Sequence, residues 1–142
     1  MAREQALQAL ETWHDLLEKR EFDRLRPITS DAVVFRSPAF FTPYPGVEPL
    51  VHIIATVNTI FEDFAYHREF WSEEHDAVVL EFSARVGDKK LKGIDIISFD
   101  DAGKIREFEV MIRPANAAAA VGEAMAAKAG PRLKELLGGL KA

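Results

Sequence analysis

Asp95 is the residue whose setting points most directly to chemistry. It belongs to the alternating set Leu91, Gly93, Asp95, Ile97 and Phe99, in a run whose period of two reads as a β-strand. An ionisable group on an otherwise apolar strand face is costly unless it is partnered or neutral. Apolar walls raise the pKa of such a carboxyl, which makes it a hydrogen-bond donor or a general acid/base near neutrality. The competing reading is a structural carboxylate satisfied by backbone or by Trp13. Among the four histidines, His67 sits on a strand and is the general-base candidate if its ring points inward, because neutral imidazole suits proton transfer near pH 7. Otherwise it is a surface or interface residue. His14 at a helix edge, His52 on the polar flank of a helix and His75 beside Glu73 and Glu74 carry weaker signals. No histidine pair has the His-x-x-x-His spacing of a helical metal site, and there is no cysteine, so no metal is expected.

A pocket around Asp95 needs apolar walls. Phe35, Phe40, Phe41, Tyr44, Phe70, Phe99, Phe108, Val110 and Ile112 are the candidates, and the plainer reading gives most of them to the core. Tyr44 lies in the aromatic and proline-rich loop Ala39–Gly46, where its phenol could reach a bound molecule at the pocket mouth. Glu109 and Arg113 alternate with Phe108 and Val110, which assigns them to an exposed or dimer-facing sheet surface.

The elements that must position these residues follow from periodicity. Ala6, Leu7, Leu10, Trp13, Leu16 and Leu17 recur at helical spacing, and so do Leu50, Ile53, Ile54, Val57, Ile60, Phe61 and Phe64. A short helix over Phe22–Leu25 is expected to end before Pro27, and Ala32–Ser37 reads as a strand stopped by Pro38. From Ala65 the period becomes two: strands are expected over Ala65–Trp71 and Ala77–Val86, then in the two runs flanking the turn Asp100-Asp101-Ala102-Gly103. Asn116 is positioned to cap an alanine-rich helix, with Gly130 and Pro131 breaking it before a short last one. Helices followed by a meander of strands describe an α+β fold, with helices packed on one side of an antiparallel sheet.

Length and charge narrow the function. With 142 residues, one domain over 1–142 is expected, large enough for a core without staples. A net charge of -5 with both signs interspersed offers no basic stripe for phosphates, so no nucleic-acid partner is expected. The charged N-terminal segment is unlike a signal peptide and no run is long enough to cross a bilayer. A cytoplasmic location without membrane association is the expectation.

Three stretches carry a resemblance. They are Asp31-Ala32-Val33-Val34-Phe35-Arg36-Ser37-Pro38, the Gly46 entry to the second long helix, and Gly93–Asp100 followed by Gly103-Lys104-Ile105. Through them the chain resembles the SnoaL-like polyketide cyclase and ketosteroid isomerase branch of the nuclear transport factor 2-like superfamily. The resemblance implies a cone-shaped curved antiparallel sheet wrapped around N-terminal helices, and a homodimer through the sheet. It places Asp95 where ketosteroid isomerases keep a protonated aspartic acid facing the developing oxyanion. Trp13 falls where those enzymes have a tyrosine, and an indole N–H donates without being an acid. Ser37 falls at their general-base aspartate and Val110 at the cyclases' aspartate, so both acid–base programmes are incomplete. The expected function is binding of a hydrophobic small molecule with a carbonyl or hydroxyl group, with cofactor-independent isomerase, cyclase or dehydratase chemistry at Asp95 and His67 if there is catalysis. The alternative is a non-catalytic ligand-binding or interaction module.

Overall fold

The computed structural model describes residues 2–138. The chain runs α1 (Ala2–Lys19), a 3₁₀ helix (Phe22–Ile28), β1 (Thr29–Arg36), β2 (Tyr44–Pro45), α2 (Val47–Ile60), β3 (Glu62–Ser72), β4 (Ala77–Val86), β5 (Lys89–Phe99), β6 (Ile105–Arg113) and α3 (Ala115–Leu136). The strands form one curved mixed sheet in the order β2-β1-β6-β5-β4-β3. The expected meander is β3 to β6, antiparallel throughout. β1 departs from the expected antiparallel pattern, because it joins β6 in parallel. Parallel neighbours need a long crossover, and here α2 and four strands, β2 to β5, lie between them.

The helices cover one face of the sheet. α1 buries Ala6, Ala9, Leu10, Trp13 and Leu16, while Leu7, counted in the sequence stripe, is 44 % exposed. α2 buries Leu50, Val51, Ile53 and Ile54. The 3₁₀ helix passes through Pro27, beyond its expected end. Its final turn is closed by Thr29, whose hydroxyl donates to Leu25 O at 2.6 Å and whose amide reaches Arg26 O.

α3 is the larger correction. It continues through Gly130 and Pro131 as one helix, and its N-cap is Pro114 without a side-chain cap, not Asn116. A buried stripe at four-residue spacing, Ala117, Val121 and Ala129, with Met125 and Leu133 partly buried against the same core, holds the helix past a local breaker. His52 Nε2 lies 3.2 Å from Ala129 O and ties α2 to α3 just before that proline.

The β5–β6 hairpin follows its sequence signal closely. Leu91, Asp95, Ile97 and Phe99 are buried on the helix-covered face, and Gly93 lies among them. In the turn, Asp100 Oδ1 accepts from the amides of Ala102 and Lys104, each at 2.9 Å. Gly103 has φ +78°, and a Cβ there would stand 2.4 Å from Gln5 of α1. Among the described residues no helix is long and apolar enough to cross a membrane.

Candidate functional site

Strand register places Asp95 in a row with Leu80 of β4 and Val110 of β6, and places Tyr66 in the neighbouring row with Phe82, Gly93 and Ile112. All these positions face the helices. Gly93 lets the rows close together, because a Cβ there would meet Phe82 Cζ and Met111 O, each at 2.5 Å. The Tyr66 phenol reaches diagonally across β4 and donates to Asp95 Oδ2 at 2.5 Å. Trp13 Nε1–H donates in turn to the Tyr66 oxygen at 3.1 Å. Phe108 packs edge-on against the indole, with ring centroids 5.2 Å apart.

This chain of donors ends on a carboxyl that is only 6 % exposed. Burial pushes Asp95 up to about 7, and the Tyr66 hydrogen bond opposes that rise without cancelling it. Tyr66 itself lies well above the ordinary phenol range, first through burial and then through the Asp95 charge and their hydrogen bond. The phenol therefore stays a donor. Oδ2 is occupied, and among the described residues nothing besides Tyr66 bonds the Asp95 carboxyl.

That carboxyl lies on the wall of a partly open cavity of about 70 Å³. α1 contributes Trp13 and Leu17; α2 contributes Ile53, Ile54, Val57 and Asn58; α3 contributes Val121 and Met125. Phe61, Phe64 and Tyr66, then Phe108, Val110 and Ile112, complete the sheet side, with Phe35 and Pro38 at the end of β1. Among the described residues, Asp95 and Tyr66 are the only ionisable groups on this wall. No three His, Asp or Glu side chains cluster as metal ligands among the described residues.

The expected site residues thus separate. Asp95, Trp13, Phe35, Phe108, Val110 and Ile112 line the cavity. Trp13 differs from expectation in one respect: its N–H is spent on Tyr66, so it acts on Asp95 only through that phenol. Ser37 is a correction, because its Oγ accepts the Ala39 amide at 3.0 Å in an exposed turn and Pro38 faces the cavity instead. His67 is another. Its ring is exposed and shares a 2.7 Å hydrogen bond with Ser83, and the neighbouring Tyr66 holds the inward position.

Tyr44 and Phe40 line a separate apolar groove beneath the C-terminal half of α3, with Tyr44 stacked on Phe35 at 6.4 Å. Phe99 is core, packed against Trp71 at 5.6 Å. Phe70 lies outside, 52 % exposed beneath the Arg68 guanidinium, and Phe41 is 96 % exposed. Glu109 and Arg113 occupy the outer face as expected. Two polar residues of the cavity, Asn58 and Tyr66, are not among the expected site residues. Asn58 hides in an apolar helical stripe, and Tyr66 adjoins a register shift that obscures which strand face is inward.

The pattern of the SnoaL-like domain matches residues 10–108. The crystal structure of a steroid delta-isomerase from Pseudomonas aeruginosa shares 47% identity, covering 94% of each chain with a TM-score of 0.83. A protein with a cystatin-like fold from Silicibacter pomeroyi shares 25% identity over 89% of this chain and 90% of its own, at a TM-score of 0.80. An LEH-like epoxide hydrolase from M. tuberculosis, at 17% identity, covers 89% of this chain and 96% of its own with a TM-score of 0.59, a likeness of fold alone. No curated protein matches the chain.

Proposed function

Because this chain belongs to the SnoaL-like domain family, we propose that its cavity binds an apolar small molecule whose carbonyl or hydroxyl oxygen meets Asp95. The observation that carries this is a buried carboxyl, bonded on one oxygen by Tyr66, on the wall of a mostly apolar cavity. Neutral Asp95 donates to a ligand oxygen, and ionised Asp95 takes a proton from carbon or oxygen. Both forms are populated near neutral pH. The 47%-identical steroid delta-isomerase favours a ring-bearing ketone as ligand and movement of a double bond as the reaction. At about 70 Å³ the cavity holds a few waters, whereas drug-sized ligands occupy roughly 300 Å³ or more. A ligand of that size enters by displacing the wall, and Met125, unbranched and three-torsioned, yields most readily.

A second reading has its own support. Delta-isomerisation takes a proton from one carbon and returns it to another while a donor holds the enolate oxygen, and no second carboxyl or imidazole lines the cavity. A non-catalytic binding module needs only the donor. One experiment separates the two: wild type and Asp95→Asn are tested for 2-naphthol binding by fluorescence and for conversion of a β,γ-unsaturated ketosteroid by enone absorbance. Turnover that Asp95→Asn abolishes supports the enzyme. Binding without turnover supports the module, and failure to bind 2-naphthol overturns both.

The outer sheet face supports a partner, which we read as a second copy of the chain. Phe70 and Met111 are exposed there among Arg68, Lys90, Lys92, Glu107 and Glu109. The chain's lack of cysteine suits a reducing, cytoplasmic setting.

A further inference from the structure

We propose that Asn58 is a second polar contact of the cavity, and that the ligand carries a hydrogen-bond donor, a hydroxyl or N–H, in addition to the oxygen that meets Asp95. This rests on the cavity reading above and deepens it by naming a residue that selects among ligands.

Asn58 breaks the pattern of its helix. The other α2 residues on the cavity wall, Ile53, Ile54 and Val57, are aliphatic, and an aliphatic side chain at 58 would have closed the wall in kind. The residue is held at two points, one on its side chain and one on its backbone. Nδ2 donates to Ile54 O at 2.8 Å, and because a backbone carbonyl only accepts, this bond identifies the nitrogen and leaves Oδ1 as the free end. Arg20 Nη2 donates to the Asn58 backbone oxygen at 2.9 Å and anchors that turn of the helix to the end of α1. Among the described residues no donor reaches Oδ1.

The position of Asn58 adds a second argument. Like Tyr66, it lines both the cavity and a surface groove that carries His14, Glu18, Arg20 and Asp63, the two spaces also sharing Leu17, Phe61 and Phe64. The amide therefore stands where an apolar space meets a polar one. A rigid acceptor at that boundary suits a ligand whose apolar body fills the cavity while a donor group turns towards the groove. An apolar ligand end would leave Oδ1 dehydrated and unpaired, which disfavours such molecules.

Matched probes test this. Fluorescence titration compares 2-naphthol with the better binder of 2,6- and 2,7-dihydroxynaphthalene, on wild type and on Asn58→Leu and Asn58→Ala. One added neutral hydrogen bond predicts that wild type prefers the diol by about fivefold. Both variants should hold the two probes within about twofold of each other, the preference being read as the ratio of the two affinities within each protein. Asn58→Ala adds no bulk, so it carries the test if Asn58→Leu fails to fold by circular dichroism. Equal wild-type affinities, or a diol preference that survives in a folded variant, would overturn the role of Asn58 and leave the cavity reading standing. Absence of 2-naphthol binding to wild type would overturn the cavity reading and this inference with it.

Discussion

The Trp13–Tyr66–Asp95 chain couples the site to stability through one proton. Burial pushes Asp95 up to about 7 in the folded protein, against about 3.9 for a free aspartic acid, so between those values the folded state binds a proton that the unfolded state has released. A raised carboxyl contributes stability that is complete below about pH 4 and is lost as pH rises through 7. Asp95→Asn does not titrate, and relative to wild type it should gain roughly 4 kcal/mol between pH 4 and pH 8. Urea unfolding of both proteins at the two pH values measures this difference, and equal differences at both would show that the carboxyl does not titrate high. Tyr66→Phe removes the bond that holds Asp95 down and leaves the indole N–H unpaired. It should move the Asp95 titration upward, read by carboxyl-carbon NMR, and cost about 1–3 kcal/mol. An unchanged titration would mean that the 2.5 Å contact does not govern this carboxyl.

At the scale of elements, Gly93 links the hairpin to the site. Its missing side chain gives Phe82 room to lie against β5, and Phe82 stands between Tyr66 and Gly93 in one cross-strand row. Gly93→Ala would place a Cβ 2.5 Å from both the Phe82 ring and the Met111 carbonyl, an overpacking that should cost about 1–3 kcal/mol and disturb the Tyr66–Asp95 bond. Denaturant unfolding together with the Asp95 titration would show it; a variant of wild-type stability and titration would remove Gly93 from the account. The hairpin was legible because burial alternates without a break from Leu91 to Ile97, ahead of the register shift between Ser98 and Phe99. β3 was not, since its register shifts between Tyr66 and Glu69 and alternation across a bulge cannot say whether Tyr66 or His67 faces inward. α3 misled for a different reason. Gly130 and Pro131 are local signals, while the buried stripe from Ala117 to Ala129 that overrides them exists only once the sheet and α2 are in place. Ser37 failed likewise: a strand ending at Arg36 turns the next residue into a loop cap and gives the wall to Pro38.

At the scale of the whole molecule, the outer sheet face has its own chemistry. Glu81 is nearly buried there and held down to about 2, first by hydrogen bonds from Arg68 and then by one from Lys92. Arg36 similarly pairs with Glu107 at 2.8 Å. These pairs satisfy most of the charge, and Phe70 and Met111, at 52 % and 47 % exposed, are left as apolar side chains without cover. The middle of the strand order falls between β6 and β5. A two-fold axis there would set Lys90 and Lys92 of one copy against Glu107 and Glu109 of the other, bringing opposite charges together. Wild type should therefore sediment at about twice the 15.9 kDa chain mass, and the double substitution Phe70→Glu with Met111→Lys should return it to one. Both side chains lie on the face away from the cavity, so the variant should bind 2-naphthol as wild type does. A wild type that sediments at 15.9 kDa at micromolar concentration would rule out this face as a self-association surface. A dimeric variant would place the interface elsewhere on the molecule.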